Sequence, residues 1–219
     1  MTRRQASVGL ATLALSPTIA RATADEDSDI LFDVLRNGDK IGTHRLSFSE
    51  QGDEITVSIA IDLEVKFAFF TVYSYRHRNT ERWRGNRLVA LDSRTNDNGT
   101  DHEVRARATG EGLEVTGNDG RLVLPADTIS TSYWQERTME RTSWLDTQRG
   151  KLISSKVAVV GTNEVQTVAA GPIQAKKYSL VGDLTCELWY SRGRWVKLNF
   201  EASDGSAIEY RLMSDPIAV

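Results

Sequence analysis

ITVSIAIDLEVKFAF, residues 55–69, decides the fold. Ile55, Val57, Ile59, Ile61, Leu63, Val65, Phe67 and Phe69 hold one parity without interruption, and Thr56, Ser58, Ala60, Asp62, Glu64, Lys66 and Ala68 hold the other. Period two with β-branched residues on the apolar side describes a strand with one face to an apolar interior and one to water. Fifteen residues at about 3.3 Å each would run about 50 Å, well past the usual strand. Either the strand curves or the chain reverses near residues 66–71, and both outcomes give a long, strongly coiled sheet.

The alternation resumes in YSYRHRNTERW, residues 73–83, where Tyr73, Tyr75, His77, Asn79, Glu81 and Trp83 share one parity and Arg76, Arg78 and Arg82 the other. If the first set faces inward, the interior gains phenols, an imidazole, a carboxyl and an indole, the composition of a ligand pocket with a few polar groups. The simpler reading, which the sequence favours, is a hydrated rim where the aromatic tips stay wet and Glu81 pairs with a neighbouring Arg. Elsewhere short extended runs alternate with turn residues at 37–38, 85–86, 96–99, 110–112, 118–120, 161–162, 182–183, 192–193 and 204–205. Spacings near ten residues mean antiparallel strands joined by hairpins. Only residues 128–150 read as helix, with Ser132 and Gln135 in a capping-box pattern and no clean amphipathic stripe. One or two short helical turns carrying Trp134 and Trp144 are expected there, as a lid, a plug or a plain connector. The fold class is therefore mainly β, a curved antiparallel sheet forming an open barrel or half-barrel with a short helical insert.

The N-terminus reads as an export signal: MTRR is basic, residues 8–20 are short and weakly apolar, and ARATA supplies small residues before the acidic DED. Cleavage is expected after Ala24, with Ala22 the alternative. This divides the chain into a signal peptide, 1–24, and a single β-rich domain, 25–219, with its core over about 30–213. Periplasm or secretion is the expected location, by the general or the twin-arginine route. Thirteen residues broken by Pro17 are too short for a membrane span, and no other segment approaches one. The sequence holds 27 basic side chains, three of them (Arg3, Arg4, Arg21) in the first 24 residues, against 30 acidic ones, none there, so the remainder carries −6. That argues against a nucleic-acid binder, which needs a basic stripe to displace counterions, and against docking on anionic lipid by charge alone.

Chemistry-bearing motifs are sparse. His44, His77 and His102 are not at metal-ligand spacing, and the single cysteine, Cys186, sits in an apolar strand pattern as an inert thiol. Asp97, Asn98, Gly99, Asp101 and Glu103 lack the ligand order of a calcium loop and read as a hairpin turn. Glu81 and His77 could form an acid–base pair, but lie about 13 Å apart along an extended strand. No catalytic, metal or cofactor residues are assigned.

The opening stretch, ERWRGNRLVALDS (81–93), SYW (132–134), LDTQRGKL (145–152) and KKYSLVGDL (176–184) together resemble an uncharacterised family of exported bacterial domains of unknown function, collinear over about residues 30–213. That family is similar in outline to the lipoprotein-carrier type of open β-barrel, a curved sheet around a helical plug. The resemblance implies binding of acyl chains or another apolar molecule on the concave face and carries over no catalytic residue. The expected function is a non-catalytic binding or carrier module for a lipid-like molecule. Its expected pocket is lined by Ile61, Leu63, Val65, Phe67, Tyr73, Tyr75, Glu81 and Trp83, with Ile59 on the same wall. An envelope structural or assembly protein, and a small-molecule enzyme using Glu81 or His77, are the alternatives.

Overall fold

A computed structural model describes residues 29–214, and the expected signal peptide with its cleavage site lies outside them. The chain forms β1 (Ile30–Arg36), β2 (Asp39–Gln51), β3 (Glu54–Phe67), β4 (Phe70–Arg84), β5 (Arg87–Asp97), β6 (Thr100–Ala108), β7 (Leu113–Gly117) and β8 (Gly120–Leu124). An insert follows, and then β9 (Ser143–Leu145), β10 (Leu152–Thr167), β11 (Gly171–Gly182), β12 (Cys186–Ser191), β13 (Arg194–Glu201) and β14 (Ala207–Leu212). All belong to one sheet in the order β8-β7-β6-β5-β4-β3-β2-β1-β14-β13-β12-β11-β10-β9. Two consecutive meanders are thus joined where β1 pairs β14 antiparallel, Phe32 opposite Leu212. β8 and β9 remain as edges, so the barrel is open.

The decisive stretch follows its pattern as far as Val65, while Phe67 and Phe69, expected on the same inward row, are exposed at the end of the hairpin because the chain reverses there. β3 and β4 form a hairpin from Glu54–Arg84 to Phe67–Phe70, and the reversal expected near 66–71 falls at Ala68 and Phe69. The odd residues of β3 turn inward, with Val57 and Ile59 buried and Ile61, Leu63 and Val65 half-buried. The even residues carry the polar convex face, where Asp62 takes two bonds from Arg78 at 2.7 and 2.8 Å. Such exposed pairs contribute under about 1 kcal/mol each. The core is made by the other face, where Phe32, Leu46, Val57, Leu88, Leu91, Val104 and Leu188 are fully buried.

Turn chemistry sets the hairpins. Asn37 and Gly38 (φ 51° and 92°), like Asn98 and Gly99 (49° and 91°), are both left-handed, the two-residue turn whose twist matches paired strands. Gly42 is required by close approach, since a Cβ there would stand 1.9 Å from the Asp62 carbonyl oxygen on β3. One expected turn is corrected: residues 161–162 lie inside β10, where the register shifts between Val159 and Gly161 as a bulge. The extra residue bends the strand, and the reversal comes later, at Thr167–Gly171.

The insert contains one 3-10 turn, Glu136–Glu140. The expected capping box is absent, because Gln135 makes no side-chain cap bond and Ser132 points elsewhere. Its two arms are tied together by Leu145 N to Ile129 O at 2.8 Å and Thr131 N to Leu145 O at 3.1 Å. Trp144, wholly buried, donates to Thr138 O at 3.0 Å. The insert therefore lies in the hollow as a plug rather than outside it as a connector.

Candidate functional site

Side chains opposite one another across a sheet point to the same face, so pairing register builds the site. Phe32, His44, Ile61, His77, Thr95 and His102 lie opposite one another on β1 to β6. The three histidines, unrelated by sequence spacing, thus fall on alternate strands of one inward row, roughly 10 Å apart at about 4.8 Å per strand. No group of residues able to hold a metal occurs among the described residues.

The plug seals the lower part of this face. Phe48, Val57 and Glu81 form the next-but-one row, and Trp134 packs on Trp83 and Phe48 at 5.7 and 5.5 Å between centroids. Tyr133 packs on Trp195 at 5.9 Å, and Tyr190 donates to the Tyr133 carbonyl at 2.9 Å. Tyr133 has φ 57°, a left-handed conformation that costs a non-glycine residue about 1 kcal/mol. This bend splays Ser132, Tyr133 and Trp134 onto three different parts of the wall. Further along, Ser93 Oγ donates to Thr147 O, and Tyr75 donates to Gln148 Oε1 at 3.1 Å.

The rim reading of β4 is overturned. Glu81 is 0% exposed and pairs with no arginine. Its oxygens accept from Asn79 Nδ2 at 2.9 Å, Trp83 Nε1 at 2.9 Å and Ser132 Oγ at 3.0 Å, with Ser130 Oγ 2.9 Å beyond. Burial raises its pKa above the ordinary carboxyl value, while the bonds from Asn79, Trp83 and Ser132 oppose the shift. The arginines of β4 face out, as alternation requires, so Glu81 could not reach them without leaving the interior.

The eight expected pocket residues divide into three groups. Ile61, Leu63, Val65, Tyr73 and Tyr75 are half-buried and line the upper concave face. Glu81 and Trp83 are buried beneath the plug, and Phe67 projects past the core. Tyr73 donates to Asp97 Oδ1 at 2.9 Å and Gln148 Nε2 donates to Asp97 Oδ2 at 3.2 Å, closing one side of the upper face. Burial raises the phenol pKa values of both Tyr73 and Tyr75, so both stay donors.

Sequence reasoning missed His44. It is 6% exposed and enclosed by Phe32, Trp195 and Tyr210, with centroids at 6.3, 5.4 and 5.6 Å. Neither ring nitrogen has a hydrogen-bond partner within the protein; Asn79 Oδ1 and Trp134 Nε1 are likewise buried without a protein partner. Burial lowers its pKa to about 3, with a smaller push from His77. His77 is lowered to about 4, by burial and then by Arg78, while its Nδ1 meets Thr95 Oγ1 at 2.7 Å. The available signal was parity: His44 alternates in phase with Leu46 and Phe48. Cys186 is buried, and desolvation pushes its thiol up to about 12, as an inert thiol requires.

A depression lies at the far end of the histidine row, beyond Asp97. It has a volume of about 360 Å³ and is lined by Asp97, Thr100, His102, Asn118, Asp119, Arg149 and Lys151, walls unsuited to an apolar ligand.

Comparison with known proteins bears on fold and family. No functionally curated protein matches the sequence. The chain is similar in structure to a beta-barrel-like protein of domain of unknown function DUF1849 from Brucella abortus, with a TM-score of 0.60 and 11% identity. That match covers 85% of this chain and 95% of the other. A family model, domain of unknown function DUF6134, matches residues 32–213. With its β-rich core matched from β1 to just past β14, the chain belongs to the DUF6134 family, an uncharacterised family with a barrel-like fold.

Proposed function

We propose that the chain is an exported, non-catalytic binding or carrier module for a lipid-like or other apolar molecule, held on the concave face. The observation that carries this reading is His44, with both ring nitrogens buried and unpartnered in an aromatic wall. Buried polar groups are almost always hydrogen-bonded, and leaving one unsatisfied costs about 1–3 kcal/mol. Together with Asn79 Oδ1 and Trp134 Nε1 in the same state, His44 leaves buried polar groups for a bound molecule to satisfy. A neutral imidazole offers one donor and one acceptor. It therefore complements an uncharged head group, a hydroxyl, ester or amide, with the apolar remainder against Ile61, Leu63, Val65 and Tyr75. The plug supplies the lid, and its strained Tyr133 is where a local rearrangement would begin.

One observation favours a second, catalytic reading of the same interior. Glu81 and His77 both point inward with pKa values displaced by burial in opposite directions. The cover of Ser132 and Trp134 over Glu81 ranks this reading behind the first.

Titration with a fluorescent single-chain acyl alcohol tests the proposal. Saturable binding is expected, weakened at least tenfold in Leu63→Arg, which sets a charge on the apolar wall. Absence of saturable binding, or equal binding by Leu63→Arg, would count against it.

A further inference from the structure

The β3–β4 hairpin runs on past the core, and its end is apolar. Phe67 is 76% exposed, Phe69 99%, Phe70 73% and Val72 54%. Scattered single hydrophobics on a surface need no explanation, but four on one projecting turn do. The turn is built to hold them out: Ala68 takes the left-handed position (φ 54°) that glycine fills more cheaply. The stem below is pinned, with Thr71 Oγ1 on Glu64 Oε1 at 2.6 Å and Lys66 Nζ on Glu64 Oε2 at 2.9 Å.

We propose that this tip is a membrane-docking finger that seats in the interfacial layer of a lipid bilayer. Three observations select a bilayer over a protein. First, area: three phenylalanines and a valine at these exposures offer roughly 500–600 Å², below the about 800 Å² per partner of a stable protein interface. Second, direction: Phe67 and Phe70 pair across the hairpin on the concave side, Val72 is the unpaired extra residue where the register shifts between Val65 and Lys66, and Phe69 caps the apex. No single protein surface covers side chains that radiate so, whereas fluid hydrocarbon does. Third, charge: from the apex the first charged residue is Lys66 on one strand and Arg76 on the other, 61% and 74% exposed. Lys66 stands about 10 Å from the apex at roughly 3.3 Å per residue, within the 5–10 Å penetration of interfacial anchors.

Docking of this kind is independent of whether the hollow holds a ligand. It does place the half-exposed row Val65–Tyr73, next along from Phe67–Phe70, between the bilayer and the concave face.

The test is flotation with phosphatidylcholine vesicles at physiological salt. It compares the full chain with the Phe67→Ser/Phe69→Ser/Phe70→Ser variant and with Val159→Ser/Val160→Ser, which removes exposed apolar side chains away from the tip. Vesicle partitioning is expected to fall at least tenfold in the tip variant, to stay within twofold in the control, and melting temperatures are expected to hold. In Phe69→Trp, vesicles are expected to shift the added tryptophan emission to the blue, with quenching by brominated acyl chains. An unshifted emission overturns the proposal, as does equal partitioning by the tip variant. So does a concentration-dependent dimer that the tip variant abolishes, since a second copy would then be the occupant.

Discussion

Replacing Glu81 separates a buried neutral acid from a buried ion. In the native protein it accepts three hydrogen bonds while wholly enclosed. Glu81→Leu strands the Asn79 amide and the Trp83 indole N–H, whereas Ser132 can turn to Ser130, 2.9 Å away. Two stranded buried donors cost about 1–3 kcal/mol each, so a loss of about 4 kcal/mol is expected. Glu81→Gln keeps one acceptor oxygen and sets its NH2 against one of the donors, for a loss of about 2 kcal/mol. The pH dependence carries the sign. Because the folded pKa is raised, the folded chain binds more protons than the unfolded chain. The contribution of Glu81 is complete below the unfolded value of 4.5 and declines as pH rises toward the folded pKa, by up to about 1.4 kcal/mol per unit. Gln does not titrate, so the deficit of Glu81→Gln is expected to shrink between pH 5 and 7. Urea unfolding of both proteins at each pH, followed by tryptophan emission, reads this directly, and the histidines titrate alike in both and cancel. A deficit that grows with pH would mean an ionised Glu81 held by its donors and would refute the reasoning, as would Glu81→Leu matching the native chain at pH 5.

Three further outcomes are expected. His44→Phe removes two unpaired buried nitrogens from an aromatic wall, so it should stabilise the fold by about 1–2 kcal/mol while weakening acyl-probe binding; calorimetry showing a lower melting temperature would mean that the imidazole has a partner. His44 and His77, lowered to about 3 and 4, remain neutral in the fold while the unfolded chain protonates near 6.5. Their contributions are therefore complete above pH 6.5, and each loses about 2 kcal/mol by pH 5, a slope that acid titration of stability should show halved in His44→Phe. Intact-mass measurement of the protein from its native cells should give a chain beginning at Asp25, or at Thr23 if cleavage follows Ala22; retained residues 1–24 would remove the export reading.

Much of the sheet was legible because strand alternation is local. The parity of residues 55–69 and 73–83 reports which face each side chain takes, and Asn37-Gly38 and Asn98-Gly99 report their hairpins through φ alone. What covers a face is not local. Ser132, which completes the shell around Glu81, is 51 residues away, in an insert with no amphipathic stripe. The capping-box pattern there misled because the side chain of Ser132 found a stronger acceptor in the Glu81 carboxyl. Gly161 misled similarly: positive φ serves a bulge as well as a turn. The histidine row was invisible because it depends on register across six strands, and the isolation of His44 from hydrogen-bond partners depends on aromatic rings drawn from β1, β13 and β14.

The central claim is that the concave face holds a molecule. Native mass spectrometry of the protein purified from its own cells tests this most directly. The expected spectrum shows a second species heavier by one small organic molecule, lost on solvent extraction and absent from Leu63→Arg. Bare chain mass in every preparation would contradict the claim.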